Sequence, residues 1–178
     1  NSALALAQKT LHSKEALLLC AEVQELPFLE GSFDLILAFD IVEHLHQSEL
    51  ERMFEEAYRL LARGGRLVVH TMPNLWYYRF GYPLFRFVQR LRGRQLPQDP
   101  RDRSQYVKIA HVNEQSVVSL RHSLRRAGFK PHVHLQNAQD YEEENSWLLC
   151  TAMRFVSTVY PFAWIFCNDI FATALKKE

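Results

Sequence analysis

The chain has 178 residues, enough for one domain with a sizeable core, and its 48% apolar and 23% charged residues are the balance of an ordinary globular protein. A formal net charge of +1 supplies no global field that would argue for nucleic acid. The three cysteines, Cys20, Cys150 and Cys167, are far apart and form no CxxC pair, which argues against a zinc ribbon or disulfide framework and for buried thiols in a reducing cytoplasm.

In chain order, the opening NSALALAQKT lacks the basic segment of a signal peptide and lacks an initiator Met, so a processed or truncated start is expected. Leu4, Ala7 and Leu11 share one helical face. Ala16 to Cys20 is a short apolar run that suits a strand buried on both sides. Leu26-Pro27-Phe28 and Glu30-Gly31-Ser32 break the chain into a loop, and FDLILAF, Phe33 to Phe39, is a second buried strand. Ser48 with Glu51 reads as a capping box at the start of a helix whose apolar face is Leu50, Met53, Phe54, Ala57, Leu60 and Leu61. Gly64 suits the left-handed position that ends the helix, and Gly65 lets the chain turn into RLVVHTM, a parallel strand.

Beyond Asn74 the pattern loosens. Leu75 to Arg94 interleaves aromatic residues with arginines, and Leu96 to Ser104, with Pro97 and Pro100, reads as a mobile loop. Asn113 is the expected cap of a helix with Val117, Val118, Leu120, Leu124 and Ala127 on its apolar stripe and Gly128 as its stop. Phe129 to Gln136 suits a strand, Tyr141 to Asn145 an acidic link, and the aromatic stretch at about 146–167 one or two helices split at Pro161. Phe155 to Asn168 is uncharged but broken by Pro161 and shorter than the ~20 residues of a spanning helix. The last strand is Ile170 to Leu175.

This alternation predicts an α/β three-layer sandwich, in which ligands bind beyond the carboxyl ends of the strands. Glu22 and Val23 follow the first run: a carboxylate there can accept from an exocyclic amine, and a neighbouring N–H can donate to a ring nitrogen. Taken alone, a solvated loop carboxylate is the simpler reading of Glu22. At the second strand end an apolar run turns acidic over Phe39-Asp40-Ile41-Val42-Glu43-His44. His44 either orients ligand or acts as a base, or it packs and bonds the local backbone. His46 reads as exposed, without a role.

Between Glu22 and Asn74 the order of elements LPF, FDLI, VEHL and GGRL resembles the central portion of class I S-adenosylmethionine-dependent methyltransferases, in the broad group acting on small molecules and lipid tails. The resemblance is close over Leu18 to Asn74, looser through His111 to Phe129, and returns at Asn168-DIFATALKK. It implies a Rossmann-like methyltransferase fold with S-adenosyl-L-methionine as cofactor. Glu22 would meet the adenine amine, Val23 would offer the backbone donor to the ring, and Phe39, Asp40 and Ile41 would line the methionine part. The family's glycine-rich loop and its ribose-binding acid have no counterpart here, because no glycine precedes Gly31. The chain is therefore expected to be a partial domain over 1–178 that lacks the family's first strands, with an aromatic and arginine-rich insert at about 75–110. A non-catalytic cofactor- or partner-binding module is the alternative.

Methyl transfer from a sulfonium is an in-line displacement, so a base is needed only where the acceptor must lose a proton. His44 and His111 are the candidates, with Tyr106 on the loop, whereas His70, inside a strand pattern, reads as a bonded core residue. The insert reads as a lid of packing aromatics, as a membrane-surface contact through residues 75–94, or as a stacking surface for bases that the near-zero charge disfavours. A small-molecule or lipid-like acceptor, a cytoplasmic or membrane-peripheral location, and no metal are the resulting expectations. Neither the acceptor atom nor an oligomeric state is encoded legibly.

Overall fold

The computed structural model of the chain describes residues 2–11, 16–103, 105–137 and 146–177. It runs α1 (Ser2–Thr10), β1 (Phe33–Phe39), α2 (Gln47–Leu60), β2 (Leu61–Thr71), α3 (Tyr82–Leu91), α4 (Gln105–Ala110), α5 (Val117–Arg126), β3 (Lys130–Leu135), α6 (Trp147–Thr158), α7 (Ala163–Phe166) and β4 (Ile170–Leu175). One four-stranded sheet has the order β1-β2-β4-β3. β1 and β2 are parallel, joined by the α2 crossover, and β4 enters antiparallel between β2 and β3. The α/β class and the Rossmann-like architecture are as expected.

Burial explains why this sheet forms. Leu67 and Val69 of β2, Ala172 and Ala174 of β4, and Val133 of β3 are buried in one core with Leu50, Met53, Phe54 and Ala57 of α2 and Leu120 and Leu124 of α5. Period-two strand faces thus meet the apolar stripes of two helices, the pairing that removes most apolar area from water. The outer side of β1 is different: Leu35, Leu37 and Phe39 are each about half exposed, at 51%, 57% and 52%.

Four expectations change. Ala16 to Cys20 is not a strand: it runs without regular structure and Leu17 is 84% exposed. A continuous apolar run becomes a strand only where a neighbour takes its hydrogen bonds, and β1 stands at the sheet edge. α2 begins before Ser48, with His46 as its cap, whose backbone N–H donates to Glu49 Oε2 at 2.8 Å. Gly64, at φ +73°, lies within β2 where the register to β1 shifts, and does not end the helix. A Cβ on Gly65 would come 2.9 Å from the Ala62 carbonyl oxygen, so the close approach there requires glycine. α5 is capped by Ser116, whose Oγ accepts from Ser119 N–H at 3.1 Å, and not by Asn113. Asn113 Oδ1 instead accepts from Gln115 Nε2 at 2.8 Å. The acidic link at Tyr141–Asn145 lies outside the described residues. No helix among the described residues is long and apolar enough to cross a membrane.

Candidate functional site at the carboxyl ends of β1 and β2

Where β1 ends, Asp40 adopts φ +52°, a conformation that costs an L-residue energy and persists where surrounding contacts over-determine it. Its N–H donates to the His70 carbonyl at 3.1 Å, and its Oδ1 lies 2.8 Å from His70 Nδ1. The other ring nitrogen, Nε2, lies 3.3 Å from Asp169 Oδ1, and Phe171 packs on the ring with centroids 4.5 Å apart. His70 is thus bonded and largely buried, as read from the sequence, but it also ties the ends of β1 and β2 to the start of β4. Asp169 was missed. Its signal was position: an acid just before an antiparallel strand shares the edge where the parallel strands finish.

One short turn further on, Val42–His44 places three more groups. Glu43 is 2% exposed, and its Oε2 accepts from Thr71 Oγ1 at 2.7 Å. Its carbonyl accepts the N–H groups of Val112 and Asn113, at 2.9 and 3.1 Å, which draws the segment after α4 onto the turn. His44 Nδ1 lies 3.0 Å from the Ala110 carbonyl oxygen, and since a carbonyl only accepts, Nδ1 carries a hydrogen and, in the neutral ring, Nε2 the lone pair. The His111 ring stands edge-on to His44, centroids 4.9 Å apart, and Tyr106 approaches His44 at 6.2 Å. His111 Nδ1 is buried with no hydrogen-bond partner. Burial holds its pKa below the usual value, against the opposing pull of the Glu43 carboxylate. The two histidines expected near the acceptor are therefore brought together.

The residues expected on the cofactor side divide. Val23, Phe39 and Ile41 line one apolar cavity with Leu26, Ile36 and Met53. Glu22 is exposed beside Val23, its carbonyl accepting Glu25 N–H at 3.1 Å. Asp40 turns its carboxylate to His70, as described. The loop carrying Glu22 and Val23 is pinned from α2: Glu56 Oε1 accepts Leu26 N–H at 2.9 Å, and Arg59 donates to the carbonyls of Leu26 and Phe28. The Arg59 guanidinium holds the Glu56 carboxyl below its ordinary range.

Over this edge lies the insert. Asn74, fully buried, donates from Nδ2 to the carbonyls of Trp164 and Cys167 at 3.1 and 3.0 Å and accepts Trp76 N–H on Oδ1 at 3.1 Å. Trp76 and Trp164 stack with centroids 4.9 Å apart. Gly81 lies so close to the Ile165 carbonyl that no Cβ fits between them. The two aromatic stretches seen separately in the sequence are thus one body. Between α3 and α6 it encloses an apolar cleft lined by Tyr77, Leu84, Phe85, Val88, Met153 and Phe166.

A family model described as a methyltransferase domain matches residues 1–69. No curated protein matches the chain. Among solved structures, it resembles the complex of the Haloferax volcanii Trm112 methyltransferase activator with its methyltransferase (14% identity, TM-score 0.59, 98% of this chain and 67% of that one). It also resembles a S-adenosylmethionine-dependent methyltransferase of Thermotoga maritima (18%, TM-score 0.55, 87% and 61%). A third is the Haemonchus contortus phosphoethanolamine N-methyltransferase 2 bound to phosphomonomethylethanolamine and S-adenosylhomocysteine (14%, TM-score 0.51, 88% and 36%). The chain thus spans from about a third to two-thirds of the length of these proteins. The family model accounts for the first 69 residues, and over the remainder the chain shares the fold of solved methyltransferase structures.

Proposed function

We propose that the domain binds S-adenosyl-L-methionine at the carboxyl ends of β1 and β2 and transfers its methyl group to a small, hydrophobic or lipid-like acceptor. The observation that carries the cofactor half is the convergence of Val23, Phe39 and Ile41 on one cavity beside exposed Glu22. In this reading Glu22 accepts from the adenine amine, the Val23 N–H donates to the ring, and Asp40, fixed by His70, borders the methionine end. The chemistry asks for alignment of the acceptor with the sulfonium methyl, and a rigid strand end provides it. Where the acceptor carries a proton, His44 is the group with a lone pair on Nε2 to receive it.

The acceptor half rests on the cleft between α3 and α6, which is almost entirely apolar. Around it Leu84, Phe87 and Leu91 stand exposed along one side of α3, at 52%, 57% and 74%, with Trp147, Leu148 and Phe155 exposed on α6. Arg86, Arg90 and Arg94 line a flank of the same α3 segment. Apolar side chains beside a row of arginines fit a surface that rests on anionic lipid, with the charged heads at headgroup level. Flotation of the full-length protein with phosphatidylglycerol-containing liposomes tests this half. Co-flotation that falls with Phe87→Ser and Leu91→Ser supports it, and protein left in the bottom fraction removes it.

A further inference from the structure

The turn after β1 and the end of α4 bring together a donor set that methyl transfer does not require. Glu43, His44 and His111 each offer one ligand atom, all within 4.8 Å of one another. Donors on a single ion, with bonds of about 2 Å, stand roughly 3–4 Å apart, so modest side-chain rotation closes the set. Three features distinguish it from a chance grouping. Glu43 is a buried carboxylate whose only side-chain partner is the neutral Thr71 hydroxyl, and no ion pair involves it among the described residues. Burying a carboxylate is costly unless a cation or a metal accompanies it. Next, His111 presents a buried Nδ1 with no partner, an unmet polar atom of the kind a ligand satisfies. Lastly, the supporting bonds are already made: Ala110 accepts from His44 Nδ1 and so leaves Nε2 to ligate, while Thr71 orients Glu43.

We infer that Glu43, His44 and His111 form a binding site for a divalent transition-metal ion. Two imidazoles and one carboxylate suit zinc, cobalt, iron or manganese better than calcium or magnesium, which prefer all-oxygen shells. Three protein ligands leave coordination positions open, so the ion can take a further oxygen or nitrogen ligand at the same strand-end mouth. The donor set is present whatever reaction the domain carries out, but ligation takes the same His44 Nε2 lone pair that would otherwise receive a proton, so in the metal-bound domain His44 is a ligand and not a base. The inference replaces the absence of metal expected from sequence. The actual set joins residues far apart in the chain, and is assembled where the Glu43 carbonyl takes the Val112 and Asn113 amides and His44 bonds the Ala110 carbonyl.

Cobalt(II) is the probe, because its visible d–d bands report nitrogen and carboxylate ligation directly. Titration of the metal-free protein with Co²⁺ is expected to saturate at one ion per chain. His44→Gln and His111→Asn should each abolish the bands, Thr71→Val should weaken binding roughly tenfold, and His132→Ala should leave it unchanged. Far-ultraviolet circular dichroism of each variant separates loss of ligand from loss of fold. Glu43→Gln, which keeps the side-chain volume, serves if either histidine variant unfolds. Absence of saturable binding below about 1 mM, bands that survive both histidine variants, or bands lost with His132→Ala would each overturn the inference.

Discussion

Several single side chains here do work that their position in the chain does not announce. Asn74 satisfies three backbone groups at once, joining β2's end to α7 and to the Trp76 turn. Asn74→Ala leaves two carbonyls and one N–H to find other partners in a dry environment. It should lower unfolding free energy by about 1–3 kcal/mol, measured by urea denaturation, whereas substitution of exposed Gln136 serves as a neutral comparison. Cys167 is fully buried, and burial pushes its thiol up to about 11, while Cys20 is exposed. A thiol reagent at pH 8 should therefore modify Cys20 quickly and Cys167 only on unfolding. Equal rates for the two would contradict the packing around α7. His70 and Asp40 illustrate how a residue can be read correctly in character and incompletely in role. A histidine inside a strand pattern is expected to be bonded, but its two acidic partners lie 30 residues before it and 99 after it. No local pattern connects those positions.

At the scale of elements, the loop bearing Glu22 and Val23 has no regular structure and depends on α2 for its position. Glu56 and Arg59, one turn apart, grip Leu26 and Phe28. Because the Glu56 carboxyl is depressed below its ordinary value of 4.5, its contribution is complete above that pH and is lost as pH falls through the depressed value. Glu56→Gln should be less stable than the wild type at pH 7, with the two urea midpoints converging as pH falls through the depressed value. A gap that persists at low pH would mean that the carboxylate charge is not what holds the loop. The elements themselves were largely legible: α2, β1, β2, α5, β3, α6, α7 and β4 follow from apolar periodicity and from the stops at Gly128 and Pro161. Caps were less so. Ser48 and Asn113 are good capping residues by type, yet His46 and Ser116 hold those positions, because a cap is chosen by where the chain enters the helix and not by side-chain chemistry alone. The run at Ala16 to Cys20 misleads for a related reason. Hydrophobicity states that a segment can be buried, but pairing decides whether it is a strand.

On the scale of the whole molecule, a sheet with a well-packed helical face carries its polar chemistry at one edge and an aromatic body over that edge. The body is joined to the sheet through Asn74 and to itself through Trp76, Trp164 and the Gly81–Ile165 approach. Gly81→Ala should force these apart, lowering stability by about 1–3 kcal/mol and loosening the cleft, seen as increased fluorescence of a polarity-sensitive apolar dye. The outer side of β1, with Leu35, Leu37 and Phe39 half exposed, is the other large-scale feature that the strand pattern alone did not reveal. FDLILAF reads as buried on both faces, and in this chain only the side toward α2 is. Calorimetric titration of the full-length protein with S-adenosylhomocysteine tests whether the strand-end residues hold S-adenosyl-L-methionine. Saturable binding of one molecule per chain is expected, weakened at least about tenfold, or roughly 1.4 kcal/mol, by Glu22→Ala and by Asp40→Ala. No heat of binding, or binding that both variants leave untouched, would contradict it.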